Sequence, residues 1–350
     1  MTDLRTAIVG SGFVAHVHAA AVRAIGGRVV AVSSRTRAGA EAMAYEIGAA
    51  AYESLPDLLA DARADVVHVC TPNSLHAQQV LLALEHGAHV VCEKPLATTS
   101  EESSRMLVAL AESGRVGATA YHVRGYPLVA HMRRAVSEGD VGEVRVVHGR
   151  YVCDDALLVP GGWRVDRRLA GPSYVTADLG AHWFDLAEHV SGARVAEVLA
   201  DFRAFAAGRE LEDHASLLLR FDNGATGTAT FSALAPGRKN QLLFELEGSR
   251  GGFTWDQESP NELRHRHAES PTEIVLKDRA ANGGRWPAGH AEGYGDAFAE
   301  ILRNAYLAIA GEAHGDFPTF GDGHRGMQLL DAALESARDG GWAPIERDRS

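Results

Sequence analysis

Two groups of polar residues carry side chains that can hold or transfer protons. In the first, Glu93, Lys94 and Pro95 follow directly after the apolar run 88–92. Such a run predicts a buried parallel strand, and ligands of open parallel sheets bind just beyond the carboxyl ends of the strands. Proline also keeps the residue before it out of the α region, which fixes the direction of the lysine ammonium group. A solvated surface ion pair is the alternative that the tripeptide alone leaves open.

The second group is Asp178, His182 and Asp185, spaced four and three residues apart in a stretch with a helical pattern. On a regular helix this spacing places all three side chains on one face. Histidine titrates near neutral pH and a carboxylate partner fixes its tautomer, so the set suits general acid–base chemistry. A structural histidine ranks second. A metal site ranks last, because a functional zinc set needs a further His or Cys at motif spacing, so no metal is predicted.

Both groups need a scaffold, and the N-terminal sequence carries a glycine pattern typical of one. The apolar strand 6–9 is followed by a glycine-containing turn and a helical run that ends near residue 25. Gly10 permits the tight turn, Gly12 lets a pyrophosphate approach the backbone, and Ala15 takes the place of the third glycine. The N–H groups at the start of the helix then face the phosphates of a dinucleotide. The predicted contacts are Gly10, Ser11, Gly12, Phe13 and Val14.

The end of the second predicted strand, 28–32, indicates which dinucleotide binds. An NAD-preferring domain usually has an Asp or Glu there for the ribose hydroxyls. This chain instead has Ser33 and Ser34, followed by Arg35 and Arg37. Hydroxyl and guanidinium groups suit a 2′-phosphate, so NADP is the predicted cofactor, with NAD as the alternative. The competing interpretation is that both arginines are solvated residues that open the next helix.

Further along, alternating strands and helices predict a doubly wound parallel sheet. One buried strand leads to Thr71, Pro72 and Asn73, and His76 lies in the first turn of the helix that follows. We expect these four residues at the cofactor edge of the sheet. The alternation ends near residue 124, so residues 1–124 are predicted to form an α/β Rossmann domain that binds NAD(P).

After residue 124 the pattern changes to alternating apolar and polar residues, which predicts strands with one solvated face. An open, mainly antiparallel sheet is predicted from five such stretches: 141–150, 196–205, 215–221, 227–231 and 241–248. Helices are predicted at about 127–138, 176–191 and 294–311. Residues 125–350 are therefore predicted to form an α+β domain for substrate binding and oligomerisation. The last helix, about 322–339, either returns to the first domain or seals the second.

Composition restricts the class of ligand and the compartment. A chain of 350 residues with 46% hydrophobic residues is long enough for two cored domains. Its 46 acidic and 34 basic residues give a net charge of −12, which repels nucleic acid and anionic membranes and favours a small-molecule ligand. Three cysteines without CxxC spacing predict reduced core thiols. The sequence shows no signal peptide and no 18-residue apolar run, so we expect a cytoplasmic protein.

Taken in order, these elements resemble the family of glucose–fructose oxidoreductase, inositol dehydrogenase and the rhizopine-catabolism protein (Gfo/Idh/MocA). The resemblance covers nearly the whole chain and rests on the turn 10–15, Thr71-Pro72-Asn73 with His76, Glu93-Lys94-Pro95, Trp163-Arg164, the Asp178, His182 and Asp185 helix, and Pro318-Thr319-Phe320. It implies an oxidoreductase that transfers a hydride between the nicotinamide of NAD(P) and a secondary alcohol or ketone. The implied substrate is a sugar, an inositol or a sugar derivative.

The resemblance also implies roles for single residues. Lys94, Asp178 and His182 form the implied catalytic triad, and Glu93 helps to hold the cofactor and the lysine. The bond between Lys94 and Pro95 is implied to be cis. Because the open sheet of the second domain commonly packs against another subunit in this family, a homodimer or homotetramer is expected.

The resemblance does not select the substrate, because the chain departs from many relatives at residues 121–124 and 170–173. Besides the triad, the candidate substrate contacts are His122, Asp154, Asp155, Trp163, Tyr174 and His290; Trp163 and Arg164 are also candidate cofactor contacts. Two other functions stay open. One is an NAD-dependent glycosidase that oxidises its sugar transiently, and the other is a non-catalytic NAD(P)-binding regulator.

Overall fold

The computed structural model describes residues 4–158, 161–278 and 284–345. The chain divides into two compact units. Unit 1 comprises Met1–Gly125 and Tyr294–His324, and unit 2 comprises Tyr126–Gly293 and Arg325–Ser350. Each unit has its own sheet.

Unit 1 is built on a parallel sheet. Its described strands are β1 (Arg5–Val9), β2 (Arg28–Ser33), β3 (Ala50–Tyr52), β4 (Val66–Val69), β5 (His89–Cys92) and β6 (Gly117–Thr119). The described helices between them are α1 (Phe13–Ala24), α2 (Arg37–Ile47), α3 (Leu55–Ala62), α4 (His76–Glu85) and α5 (Ser100–Ser113). The strand order is β3-β2-β1-β4-β5-β6. This confirms the predicted doubly wound sheet, whose order reverses between β1 and β4, where such sheets bind ligands. The sequence pattern does not predict the short elements β3 and α3.

The starts of these helices differ in a way that matters for binding. Thr36, Ser54 and Thr99 cap α2, α3 and α5, and each side chain accepts a hydrogen bond from an N–H group of the first turn. By contrast, α1 follows Gly12 and has no side-chain cap. The first N–H groups of α1 are therefore not occupied by a capping side chain, as expected where a helix start receives an anion.

Unit 2 is built on a mixed sheet. Its described strands are β7 (Val144–Val152), β8 (Val195–Arg203), β9 (His214–Phe221), β10 (Thr226–Ser232), β11 (Gln241–Gly248), β12 (Gly251–Asp256), β13 (Glu262–His267), β14 (Glu273–Leu276) and β15 (Ala343–Pro344). They lie in the order β14-β13-β12-β11-β7-β10-β9-β8-β15. Among the described pairs, β7 and β10 run parallel and the others antiparallel. The mainly antiparallel sheet is confirmed, although the sequence pattern finds only five of these strands.

One helix of unit 2 differs from its prediction. Between Tyr126 and Gly293, the described helices are α6 (Pro127–Ser137), α7 (Asp155–Leu158), α8 (Arg167–Ala170) and α9 (Ala181–Ser191). The predicted regular helix over 176–191 is wrong in its first turn, because Thr176–Gly180 forms a π turn that leads into α9. A Cβ atom on Gly180 would stand 2.8 Å from the ring of Phe231, so the glycine lets this turn lie directly against β10.

Two C-terminal helices decide the boundary between the units. The predicted second domain includes residues 294–311, but α10 (Tyr294–Ile309) belongs to unit 1. It shares a core there with Ile8 and Val22, through Phe298 and Leu302. The final helix, α11 (Phe320–Asp339), begins in unit 1 and continues in unit 2 from Arg325 onward. No helix in the described part of the chain combines the length and the apolar character that a membrane span requires.

Candidate active site

The end of β5 places Lys94 at the carboxyl edge of the parallel sheet. The Lys94–Pro95 bond is cis, as the resemblance implied. The Lys94 side chain is half-buried, and its backbone N–H donates to Oε2 of Glu93 at 3.2 Å. The ring nitrogens of buried His76 lie 2.9 Å from the carbonyl oxygens of Pro95 and Thr71. His76, a predicted cofactor contact, thus joins the segments that follow β4 and β5.

A chain of buried side chains reaches Glu93 from the interior of unit 1. Nε2 of His18 lies 2.9 Å from Oε1 of Glu93, and Nδ1 of His18 lies 2.7 Å from Nδ1 of His68. Nε2 of His68 lies 2.9 Å from the hydroxyl of Tyr306, which lies 2.7 Å from Oγ1 of Thr6. Glu93 is 7% exposed and the other four residues are fully buried. Local sequence patterns do not indicate this chain of hydrogen bonds, because its members come from five separate segments.

Ionised Glu93 only accepts, so His18 donates to it from Nε2. Burial lowers the pKa of His68 well below its ordinary value, which keeps this ring neutral. Burial alone would raise the pKa of Glu93, but the hydrogen bond from His18 and the charge of Lys94 hold it below its ordinary value.

The glycine turn before α1 has the geometry that a dinucleotide phosphate requires. Gly10 has φ +117°, and a Cβ atom there would stand 2.4 Å from the carbonyl oxygen of Cys70, so only glycine fits. A Cβ atom on Gly12 would have no atom within 4 Å. At the end of β2, Oγ of Ser33 is buried and has no hydrogen-bond partner among the described residues. The open approach at Gly12 and the orphaned Ser33 hydroxyl both fit a bound NAD(P).

The two arginines after β2 differ. Arg37 pairs with Glu41 and Glu53 at 2.7 Å each, and its side chain is exposed. Its guanidinium group is therefore shared with two carboxylates, which favours the view that it is a solvated residue at the start of α2. Arg35 is exposed in the turn beyond β2. The hydroxyls of Ser34 and Ser11 lie 2.7 Å apart, which joins the turn after β2 to the glycine turn.

Three other predicted residues of unit 1 have defined surroundings. Thr71 donates from its hydroxyl to Oε1 of Gln79 at 2.6 Å, and buried Asn73 begins a 3₁₀ turn. His122 is 4% exposed, and its ring centroid lies 4.6 Å from that of Tyr294. Burial lowers the pKa of His122 to about 3. This imidazole is therefore neutral near neutral pH and packs in an aromatic cluster.

The second predicted group lies at the start of α9 in unit 2. The side chain of Asp178 is 26% exposed, whereas His182 and Asp185 are buried. Because Asp178 lies in the π turn, a widened turn separates it from His182; such turns often occur at functional sites. Nε of Arg164 lies 3.2 Å from Oδ2 of Asp178, and its guanidinium carbon lies 4.8 Å from the ring centroid of Trp163. Trp163 and Arg164, predicted to contact the cofactor, are thus linked to Asp178.

Asp178 is surrounded by groups that respond to its charge. Burial raises the pKa of the Tyr174 phenol, and Asp178 raises it further. Burial likewise raises the pKa of Tyr151, with a smaller contribution from Asp178. The ring centroid of Tyr151 lies 6.0 Å from that of His182. Tyr151 was not predicted, because the alternating stretch 141–150 ends one residue before it.

One buried carboxylate holds the segment that leads into the π turn. Glu212 accepts hydrogen bonds from the Ser173 hydroxyl at 2.5 Å, from the N–H of Tyr174 at 3.1 Å and from the N–H of Thr176 at 3.1 Å. Burial raises the pKa of Glu212, although these donors oppose the shift. Ser173 in turn accepts from the N–H of Ala177 at 3.2 Å. Glu212 therefore fixes the backbone just before Asp178, and no local pattern in the sequence indicated it.

The remaining candidate substrate contacts lie in loops and turns of unit 2. Oδ2 of Asp154 lies 2.6 Å from Nζ of Lys239 and accepts from the N–H of Gly237 at 3.3 Å, so it holds the loop before β11. Asp155 begins α7. The side chain of His290 is exposed, and its carbonyl accepts from Lys277. Substrate contact by these residues stays a prediction.

Comparison with known proteins identifies the family. Residues 4–122 match the model described as oxidoreductase family, NAD-binding Rossmann fold, and residues 129–254 match the GFO/IDH/MocA C-terminal domain. A 1,5-anhydro-D-fructose reductase from Ensifer adhaerens is 33% identical over 73% of this chain and 78% of its own length. The chain belongs to the GFO/IDH/MocA family of oxidoreductases. This membership confirms the predicted family, the NAD-binding Rossmann fold and the class of enzyme.

Two further matches cover nearly the entire chain. Levoglucosan dehydrogenase from Pseudarthrobacter phenanthrenivorans is 28% identical over 99% of this chain and 99% of its own. The crystal structure of an inositol dehydrogenase homolog from Azotobacter vinelandii, complexed with NAD+, is 28% identical with a TM-score of 0.92 and covers 97% of each chain. Both units of this protein therefore have counterparts in single proteins of the family.

Proposed function

We propose that this oxidoreductase is a dehydrogenase that transfers a hydride between NAD(P) and a secondary alcohol or ketone of a sugar, inositol or sugar derivative. The observation that carries the proposal is the edge of the parallel sheet in unit 1. There the uncapped start of α1 follows β1, and Lys94 follows closely after β5. The names of the relatives support the substrate class, since they are enzymes of anhydrosugars and inositol.

The cofactor would be held by backbone and hydroxyl groups. Gly10, Ser11, Gly12, Phe13 and Val14 present the turn and the helix start to the pyrophosphate. When bound, the nicotinamide accepts hydride in oxidation and donates it in reduction.

Ser33, Ser34 and Arg35 would hold a 2′-phosphate, and the absence of a carboxylate at residues 33 and 34 supports NADP over NAD. The ion pairs of Arg37 with Glu41 and Glu53 reduce its contribution. Calorimetric titration with NADP+ and NAD+ tests this preference. Tighter binding of NADP+ is expected, and equal or tighter binding of NAD+ would contradict it.

We assign general acid–base catalysis to a residue of unit 2 and electrostatic stabilisation to a residue of unit 1. His182 takes the hydroxyl proton of the substrate in oxidation and returns it in reduction. Asp178, which also pairs with Arg164, orients or tunes this step. Lys94 stabilises the negative charge that develops on the substrate oxygen. Such groups contribute roughly 10²–10⁴-fold and 10²–10³-fold in rate, respectively.

The buried hydrogen bonds that reach Glu93 help to position Lys94. His18 holds the Glu93 carboxylate on one side, while the other oxygen accepts from the backbone of Lys94. The rotamer of Glu93 is thereby fixed from both ends. His18, His68 and Tyr306 are thus positioning residues in this proposal.

The sheet of unit 2 supports a homodimer or homotetramer. Along β9 buried and exposed residues alternate, and one exposed residue is Leu218. A second copy of the chain would cover this face. Light scattering on the purified protein would measure the expected mass, and a monomer at all concentrations would contradict it.

The test of function is the formation of reduced cofactor with a panel of inositols, aldoses and anhydrosugars. A dehydrogenase forms NAD(P)H in proportion to the substrate consumed. A glycosidase with transient oxidation would cleave its substrate without net NAD(P)H, and a regulator would bind cofactor without turnover. Net NAD(P)H formation that is lost in His182→Ala supports the proposal, whereas cofactor binding without turnover across the panel contradicts it.

A further inference from the structure

Three potential metal ligands lie together in unit 2, on strands that carry none of the predicted site residues. His265 and His267 are two residues apart on β13, and Glu273 begins β14. His265 and Glu273 are partners in the antiparallel register, so all three side chains share one face of the sheet. One ligand atom of each lies within 4.8 Å of the other two.

The two imidazole rings each have a nitrogen that lacks a partner. Nε2 of His265 and Nε2 of His267 are buried and accept or donate no hydrogen bond within residues 4–158, 161–278 and 284–345. His265 is 7% exposed. The two ring centroids lie 4.0 Å apart, and Nε2 of His267 lies 3.9 Å from Oε2 of Glu273. Buried polar atoms are nearly always satisfied, so two neighbouring ring nitrogens without a hydrogen bond suit one shared partner.

The surroundings leave the His265 ring accessible to a cation. Gly251 of β12 has no side chain, and a Cβ atom there would stand 3.8 Å from Nε2 of His265. The ring centroid of Phe253, also on β12, lies 4.5 Å from that of His265. Arg266 points to the other face, where it pairs with Glu247 at 2.6 Å.

We propose that His265, His267 and Glu273 bind one Zn²⁺ ion that joins β13 to β14. Two histidines, a glutamate and a water are a ligand set that zinc accepts. In a tetrahedral site with bonds of about 2.0–2.1 Å, two ligand atoms lie about 3.4 Å apart. The three ligand atoms, which lie within 4.8 Å of one another, must therefore move closer together. Glu273 has the freedom for this, since its side chain is 67% exposed. Because β14 is an edge strand that pairs only with β13 in the described sheet, the ion would have a structural role.

Zinc binding to the full-length, untagged protein tests the proposal after treatment with a chelator. Calorimetry and elemental analysis should find one Zn²⁺ per chain, and Co²⁺ in its place should give the visible absorption of a tetrahedral site. Loss of a ligand should weaken binding by at least about 10-fold in His267→Ala and in Glu273→Gln, since even outer-shell partners contribute 10–100-fold.

The control variants are Glu262→Gln, at the exposed start of β13, and His148→Ala, whose ring bonds to Thr228 on another part of the sheet. Both should bind zinc as the parent does. Glu273→Gln changes an exposed side chain, so its fold should persist, and circular dichroism checks this. Absence of stoichiometric zinc binding, or full affinity in folded His267→Ala and Glu273→Gln, would overturn the site. The readout needs neither cofactor nor substrate, so it is independent of the proposed function.

Discussion

The two regions that carry the proposed chemistry are held in different ways. Beside Lys94 in unit 1, Glu93 is the end of a chain of buried hydrogen bonds. Before Asp178 and His182 in unit 2, a single buried carboxylate, Glu212, accepts from a hydroxyl and two backbone N–H groups. Several hydrogen bonds in series position Glu93, so a substitution far from Glu93 leaves the nearer bonds intact. The segment before Asp178 depends instead on one acceptor, Glu212. Substitutions should therefore have graded effects in unit 1 and an abrupt effect in unit 2.

Loss of either proposed catalytic group should have the largest effect on kcat, and the effect should be similar in the two regions. Lys94→Ala and His182→Ala should each lower kcat at least about 10²-fold, the lower end for a positioned electrostatic or acid–base group. Steady-state kinetics, cofactor titration and thermal unfolding measure this, with exposed His86→Ala as the control. Full activity in His182→Ala, with cofactor affinity unchanged, would remove the proposed mechanism and leave the family assignment standing.

Loss of Glu212 should show the abrupt effect in unit 2. Glu212→Ala leaves the Ser173 hydroxyl and two buried N–H groups without their acceptor, which should lower the free energy of unfolding by about 2–4 kcal/mol. Urea unfolding measures the loss. Glu210→Ala is the matched control, since its exposed side chain pairs only loosely with Arg167 at 3.5 Å, and it should change stability by no more than about 0.5 kcal/mol. Equal effects of the two substitutions would remove the special role of Glu212.

Two substitutions along the buried chain should show the graded effect in unit 1. His18→Phe removes the hydrogen bond that lowers the pKa of Glu93, so kcat should fall about tenfold, or about 1.4 kcal/mol in the barrier, and the acidic limb of its pH profile should move to higher pH. Tyr306→Phe removes a hydroxyl farther from Glu93 and should cost about 1–3 kcal/mol of stability, because His68 and Thr6 lose a buried partner.

The kcat values of these two variants distinguish a positioning role of the buried side chains from a role in packing alone. Tyr306→Phe should keep kcat within about threefold of the parent, since the bond between His18 and Glu93 persists. Equal losses of kcat in both variants, with no change in the pH profile of His18→Phe, would contradict the positioning role. These buried side chains would then contribute only to packing.

The smallest expected effect is the pH dependence of stability at Glu212. Its pKa in the folded protein is raised above the ordinary value of 4.5, so the folded state holds this proton more tightly than the unfolded state. The stabilisation is complete below pH 4.5 and is lost as pH rises through the raised pKa. The variant Glu212→Gln does not titrate at this position. Relative to this variant, the parent should therefore lose stability as pH rises from 4.5 through the raised pKa of Glu212. A difference that stays constant or grows with pH would contradict the raised pKa.

The sequence by itself determined the features that depend only on adjacent residues. The strand, glycine turn and helix around Gly10 and Gly12 follow from apolar periodicity and from backbone freedom, both of which reside in adjacent residues. The same holds for Lys94 at the end of a buried strand, because a parallel sheet leaves few places for a charged residue after an apolar run. Asp178 and His182 were likewise found from spacing, although their helix was expected to be regular.

Tertiary structure alone decided which distant residues meet. Apolar periodicity states that one face of α10 is buried, but not that unit 1 covers it, since any apolar surface would satisfy that face. The contacts of Glu93 with His18 and of Glu212 with Ser173 depend on how separate elements pack, and hydrogen-bond partners leave no periodic signal in a sequence. The pairing of His265 with Glu273 needs the register of a hairpin, and a shift of one residue would place Glu273 on the opposite face.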